Sequence, residues 1–152
     1  MLTAWRIVPV PRLAEAFTGE GARLYGGRWN SPGVSLVYCS STVSLAALET
    51  LVHINPQLPR SYVLYEVRFD AALVEEISPA KIPAGWDTEP PAPASQSVGD
   101  GWAKAARSAV LQVPSVLTRE INYLLNPQHK DFRRIKIGDP KPFTFDSRLL
   151  KK

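Results

Sequence analysis

The stretch from Gly19 to His53, GEGARLYGGRWNSPGVSLVYCSSTVSLAALETLVH, holds residue types that could act on an anionic sugar derivative. Arg28 carries a planar fork that binds phosphate oxygens in pairs and keeps its charge, which suits a pyrophosphate. Tyr38 offers a flat face to an aromatic or cationic ring, with a hydroxyl to orient its neighbours. Glu49 stands in a segment otherwise made of Leu, Ala and Val. A lone carboxylate there can hydrogen-bond ribose hydroxyls and stabilise positive charge developing on a sugar carbon. Arg6 and Ser115 lie outside the stretch and complete the set. Together these groups describe cleavage of an N-glycosidic bond in an anionic dinucleotide. Ordinary glycosidases need a second carboxyl group to protonate the leaving oxygen. In NAD the nicotinamide is already a cation and departs neutral, so one glutamate suffices.

Plainer roles compete at each position. Glu49 and His53, four apart on one helix side, could be a surface pair. Ser115 could simply end a strand and bond its own backbone. Cys39 reads as a small buried apolar group unless a histidine approaches it. Familiar motifs fail: Gly19-Glu20-Gly21 lacks the third glycine of G-x-G-x-x-G, and no phosphate-binding G-x-x-x-x-G-K-[ST], zinc-protease H-E-x-x-H or G-x-S-x-G occurs. One cysteine excludes an internal disulfide, and with only His53 and His129 beside it a usual four-ligand zinc site cannot be filled.

Several elements must position these groups. Thr3 to Val8 reads as a strand with Trp5 and Ile7 on one face and Ala4, Arg6 and Val8 on the other. Arg12 to Phe17 suggests a short helical turn, and Ser35 to Cys39 a second strand. Ser40-Ser41-Thr42 offers an N-cap to a helix from about Thr42 to His53, ended by Asn55-Pro56. Leu45, Leu48, Leu51 and Val52 would make its core-facing stripe, with Glu49 beside it. Ser61 to Asp70 alternates cleanly as a strand, and Leu73 to Ile77 is a shorter one. Ser78 to Gly101 gathers prolines and reads as a long lid or binding loop. Beyond it come a short helix at Trp102 to Arg107 and a strand at Ala109 to Val113. Glu120 to Leu125 is ambiguous between helix and strand, and short strands follow at Ile135 to Ile137 and Phe143 to Phe145. Six or seven strands with one or two helices make a sheet-dominated α+β fold.

The chain has 152 residues, 45% of them hydrophobic, enough for one domain over 1–152 that buries about two-thirds of its unfolded surface. No run of 18 uncharged apolar residues and no export signal appears, so neither a membrane contact nor secretion is expected and the natural setting is the cytoplasm. Charge is uneven: +2 over residues 1–60, −3 over 61–128 and +5 over 129–152. The basic tail and the Arg- and Tyr-bearing surface could instead hold RNA, with bases stacked on aromatic rings.

The segments GARLYGGRWNSPG, VYCSS, LAALETLVH, GW, VPS and EINYLLNPQH, in that order, resemble the RES-domain toxins, a family named for an arginine, a glutamate and a serine. On that match the family arginine falls on Arg28, its tyrosine on Tyr38, its glutamate on Glu49 and its serine on Ser115, while Arg6 in WRI resembles a second, N-terminal arginine. The resemblance implies a fold similar to ADP-ribosyltransferases, a split pair of small sheets with a central cleft that grips NAD. It further implies the toxin of a type II RES–Xre toxin–antitoxin pair that depletes NAD by hydrolysis or phosphorolysis. NAD would be substrate, inorganic phosphate the co-substrate in phosphorolysis, and no other cofactor is implied. At least one member resembles a transferase that modifies a protein. The implied partner is an Xre-like helix-turn-helix antitoxin that blocks the active site and carries the DNA contact, around a homodimer of the toxin. Ser115 would orient the nicotinamide amide or the attacking group.

Overall fold

A computed structural model describes residues 1–54 and 61–150. Among them are eight strands: β1 (Leu2–Pro9), β2 (Val37–Ser40), β3 (Tyr62–Phe69), β4 (Val74–Glu76), β5 (Val110–Pro114), β6 (Ile121–Leu125), β7 (Lys136–Ile137) and β8 (Lys141–Phe143). The α-helices are α1 (Glu20–Tyr25), α2 (Val43–Leu51) and α3 (Pro93–Ala105). The expected sheet-dominated architecture with few helices is therefore the one adopted, with one more of each element than the sequence suggests. No described helix is long and apolar enough to cross a membrane.

The strands follow the order β4-β5-β6-β2-β1-β3-β7, with β8 also on β3. Pairing is extensive within each half. β1 and β3 match from Leu2↔Phe69 to Pro9↔Tyr62, whereas β1 and β2 meet only at Trp5↔Ser40. That single pair is a narrow join, or split, within one continuous eight-stranded sheet, where two separate small sheets were expected. Both faces are covered: Val37, Cys39, Val67, Phe69, Val110 and Leu125 pack on one, and Leu36, Leu111, Val113 and Leu124 pack with Trp29 and Trp102 on the other. Alternation explains this, since successive side chains of a strand point to opposite faces.

Three expectations need correction. The Ser78 to Gly101 loop is the first part of a crossover: β4 and β5 run parallel, which requires a long connection, and α3 supplies it with Pro93 in its first turn, where a missing N–H costs nothing. The glycine-rich stretch contains α1, bounded by Gly19 at φ +76° and Gly26 at φ +72°, a left-handed backbone that other residues rarely adopt. Along α2 the inward residues are Leu45 and Ala46, while Leu48 and Val52 are exposed. The helix is short and rests on β1 beside the split, so only part of its apolar surface is covered. Thr42 does cap it, its Oγ1 accepting from the Leu45 N–H. The expected stop at Asn55-Pro56 lies outside the described residues, although the helix has already ended at Leu51.

Candidate active site

A cleft of about 550 Å³ opens where β1 and β2 part. Trp5, Arg6, Ile7 and Pro9 of β1 and Tyr38, Cys39 and Ser40 of β2 form its floor. Ala46, Glu49, Thr50 and His53 make one wall; Arg12, Gly19, Gly21, Ala22, Tyr25 and Gly26 make the other.

Glu49 is held by donors that the helix itself does not contain. Its Oε1 accepts from Ser115 Oγ at 2.7 Å and from Asn122 Nδ2 at 3.1 Å. Ser40 Oγ in turn donates to Asn122 Oδ1 at 2.7 Å, which fixes the amide so that its NH₂ faces the carboxylate. Both donors converge on one oxygen. Oε2 accepts no bond from the described residues and is left for whatever occupies the cleft. Ser115 is fully buried, outside the cleft lining, and its Oγ also accepts from the Leu117 N–H at 3.1 Å. Where the sequence suggests contact with nicotinamide or an attacking group, Ser115 here stands behind Glu49 and bonds its carboxylate. Ser115→Ala removes one of two donors and should lower kcat about tenfold with little change in KM, a loss consistent with a charge-assisted hydrogen bond of about 1.5 kcal/mol. A KM effect alone would contradict this.

Arg6 occupies the gap between the parted strands. Its Nε donates to the Ala16 carbonyl at 2.7 Å and its Nη1 to the Tyr38 carbonyl at 2.9 Å, so the guanidinium ties both sides of the split together while lining the cleft. Burial pulls its pKa below the ordinary value, with Cys39 and Tyr65 acting in the opposite sense. Beside it, burial pushes the Cys39 thiol up to about 12, with Arg6 opposing. The thiol stays protonated at neutral pH, which suits a packing role and not a nucleophile.

Tyr38 presents its ring to the cleft, but its hydroxyl is already committed. The Oη donates to Asn30 Oδ1 at 2.6 Å and accepts from the Trp29 N–H at 3.1 Å. Burial, the main cause, raises its pKa, so it remains a phenol. Asn30 is the hub of the GGRWN loop, its Nδ2 donating to the carbonyls of Ala22, Ser31 and Val34. The glycines serve this packing: a Cβ on Gly27 would stand 2.7 Å from Tyr38 Oη.

Arg28 is not brought to the cleft. Its Nη1 donates to the carbonyls of Trp86 and Thr88, and its Nη2 meets the Glu89 carboxylate at 2.7 Å. Trp86 stacks on Trp29 with centroids 5.6 Å apart and carries Arg119 above its ring. The fork expected to clamp pyrophosphate is in this arrangement engaged by the segment before α3. Arg28→Lys keeps the charge but cannot make the three-way contact. Limited proteolysis between Pro79 and Ala92 should accelerate by roughly threefold or more, and an unchanged cleavage rate would remove the pinning role.

His53 lines the cleft at its rim, exposed. The buried His129 sits elsewhere, its Nδ1 accepting from the Asp131 N–H. Sequence reasoning missed Asn122, in a segment left ambiguous between helix and strand, and Ser40, placed just beyond a strand; both belong to strands and reveal their use only through partners far along the chain. It also missed Arg12 and Tyr25 on the opposite wall.

A family model described as the RES domain matches residues 3–146, nearly the whole described sheet and all of the cleft. The chain belongs to the RES domain family. Within it, a protein of Sphingobium sp. (strain YBL2) named "Prs ADP-ribosylating toxin" is 41% identical over 155 residues, covering 97% of this chain and 96% of the relative. A protein of Yersinia enterocolitica named "Toxin Res" is 39% identical over 148 residues, covering 95% and 97%. The crystal structure of the M. tuberculosis MbcT–MbcA toxin–antitoxin complex contains a chain that superposes with a TM-score of 0.79 at 18% identity, covering 98% of this RES chain and 86% of that one. At that identity the likeness is one of fold.

Proposed function

We propose that this RES chain is the toxin of a toxin–antitoxin pair and breaks the bond between nicotinamide and ribose in NAD. One observation carries the reading: a carboxylate tied by two donors through one oxygen, its other oxygen left to a cleft with a cationic floor. As the C1′–N bond breaks, its electron pair goes to the pyridinium nitrogen and nicotinamide leaves neutral. Positive charge then appears on C1′ and the ring oxygen. Glu49 stabilises it without having to move, because Ser115 and Asn122 have fixed its orientation beforehand. Arg6 supplies a cation for the dinucleotide's anionic part. A water or phosphate oxygen attacks C1′ and releases its proton, giving ADP-ribose or its 1-phosphate.

Incubation of the purified chain with NAD, with and without inorganic phosphate, tests this. Free nicotinamide is expected in at least one condition, and the sugar product identifies the acceptor. Unchanged NAD in both would end the reading. The name of the Sphingobium relative favours a second outcome, transfer of ADP-ribose to a protein side chain by the same carboxylate. Labelled NAD with cell lysate would then mark a protein band while free nicotinamide accumulates only in proportion. The partner in this account is an antitoxin that covers the cleft, Xre-like with its own DNA-binding part, on a toxin homodimer.

A further inference from the structure

Away from Glu49 the cleft carries a pair that bond cleavage does not use. Arg12, in the 3-10 turn after β1, and Tyr25, the last residue of α1, both line it, and the Arg12 guanidinium carbon lies 5.9 Å from the Tyr25 ring centroid. The Arg12 Nη1 would stand 3.4 Å from a Cβ placed on Gly21, so the guanidinium lies along the α1 wall. Among the described residues Arg12 has no hydrogen-bond or ion-pair partner. Tyr25 is 72% exposed, an unusually bare ring for the wall of a cleft.

The floor sets the distance between the two ends. Trp5 pairs with Ser40, which holds Asn122 and through it Glu49, whereas Pro9 leads directly into the turn that bears Arg12. Four residues of strand at ~3.3 Å each separate those ends by roughly 13 Å. A single ribose and base would leave the far end empty; a dinucleotide would fill it. We propose that Arg12 and Tyr25 form the subsite for the adenosine diphosphate half of the substrate, the guanidinium binding diphosphate oxygens and the ring stacking on adenine. An arginine held over an aromatic ring keeps its edge free for oxyanions, and the outer face of that ring remains open to a base. Arg6 lies on the floor between this pair and Glu49. The proposal rests on the NAD reading and adds to it a preference for substrates with a second nucleotide.

Arg12→Gln and Tyr25→Ala, both at exposed positions, test it in the full chain. Nicotinamide release is measured from NAD and from nicotinamide mononucleotide, and ADP-ribose binding is titrated by calorimetry. Each variant is expected to raise the KM for NAD about tenfold with a smaller change in kcat, to shrink the preference for NAD over the mononucleotide by a similar factor, and to weaken ADP-ribose binding in parallel. Wild-type KM and wild-type ADP-ribose affinity in both variants would overturn the subsite, as would a wild-type chain that does not bind ADP-ribose. A wild-type chain that binds ADP-ribose through these residues yet releases no nicotinamide would support the subsite and sink the NAD-cleaving reading instead.

Discussion

Glu49→Gln is expected to lower the turnover of NAD by a hundredfold or more while leaving the melting temperature nearly unchanged. The amide is isosteric with the acid, and its carbonyl oxygen can still accept from Ser115 Oγ and Asn122 Nδ2, so the local hydrogen bonds survive. What disappears is the negative charge facing the cleft. Losing one preorganised electrostatic contact to a charged transition state typically costs about 10²–10³ in rate, or roughly 3–4 kcal/mol. The measurement is nicotinamide released per enzyme at saturating NAD. A variant within threefold of wild type would remove Glu49 from the chemistry and with it the mechanism. The double variant with Ser115→Ala sharpens the result. If Ser115 acts only by aiming the carboxylate, its removal should cost almost nothing once the charge is gone, whereas an independent role would show as an additive loss.

The sequence makes the elements around this carboxylate legible where local chemistry alone decides them. β3 is evident from alternation because its Val63, Tyr65, Val67 and Phe69 face is buried along its whole length. The start of α2 is evident from Thr42, whose cap is made within three residues. Glu49 itself stands out because a carboxylate interrupts apolar neighbours. Legibility fails where a partner is remote. Asn122 lies 73 residues from Glu49, and nothing near either residue announces the contact. Arg28 has the right chemistry for phosphate, yet its Nη1 and Nη2 are engaged by two carbonyls and a carboxylate about 60 positions away, which spacing within the motif cannot reveal. The start of α3 is hidden for a different reason: Pro93, Ser95, Ser97 and Gly99 read as loop residues, but the small Ser95 and Gly99 are what allow the helix to lie against the GGRWN backbone.

That close approach carries the second large effect, on stability. Gly99 faces Trp29 so tightly that a Cβ would stand 1.8 Å from the Trp29 carbonyl oxygen and 2.8 Å from its carbon. Around it Ser95 Oγ donates to the Arg28 carbonyl, Gln96 Nε2 to the Gly27 carbonyl, and Asp100 accepts from the Ser31 N–H, so one face of α3 grips residues 27 to 31. Helix propensity alone favours Ala over Gly by about 1 kcal/mol. At Gly99 the clash is with backbone, which cannot swing aside, and overpacking of a tight contact costs about 3 kcal/mol. The net cost of about 2 kcal/mol in Gly99→Ala should lower the melting temperature by roughly 6 °C for a chain of this size. Gly101, two residues on, would meet nothing within 4 Å, so Gly101→Ala should hold or raise it. Equal shifts in the two variants would show that helix propensity, and not the approach to Trp29, sets the sign. The loop under Gly99 also supplies both hydrogen-bond partners of the Tyr38 hydroxyl, so pushing it outward tilts the ring that lines the cleft. Folded Gly99→Ala protein, assayed well below its melting temperature, should consequently show a raised KM for NAD as well as reduced stability.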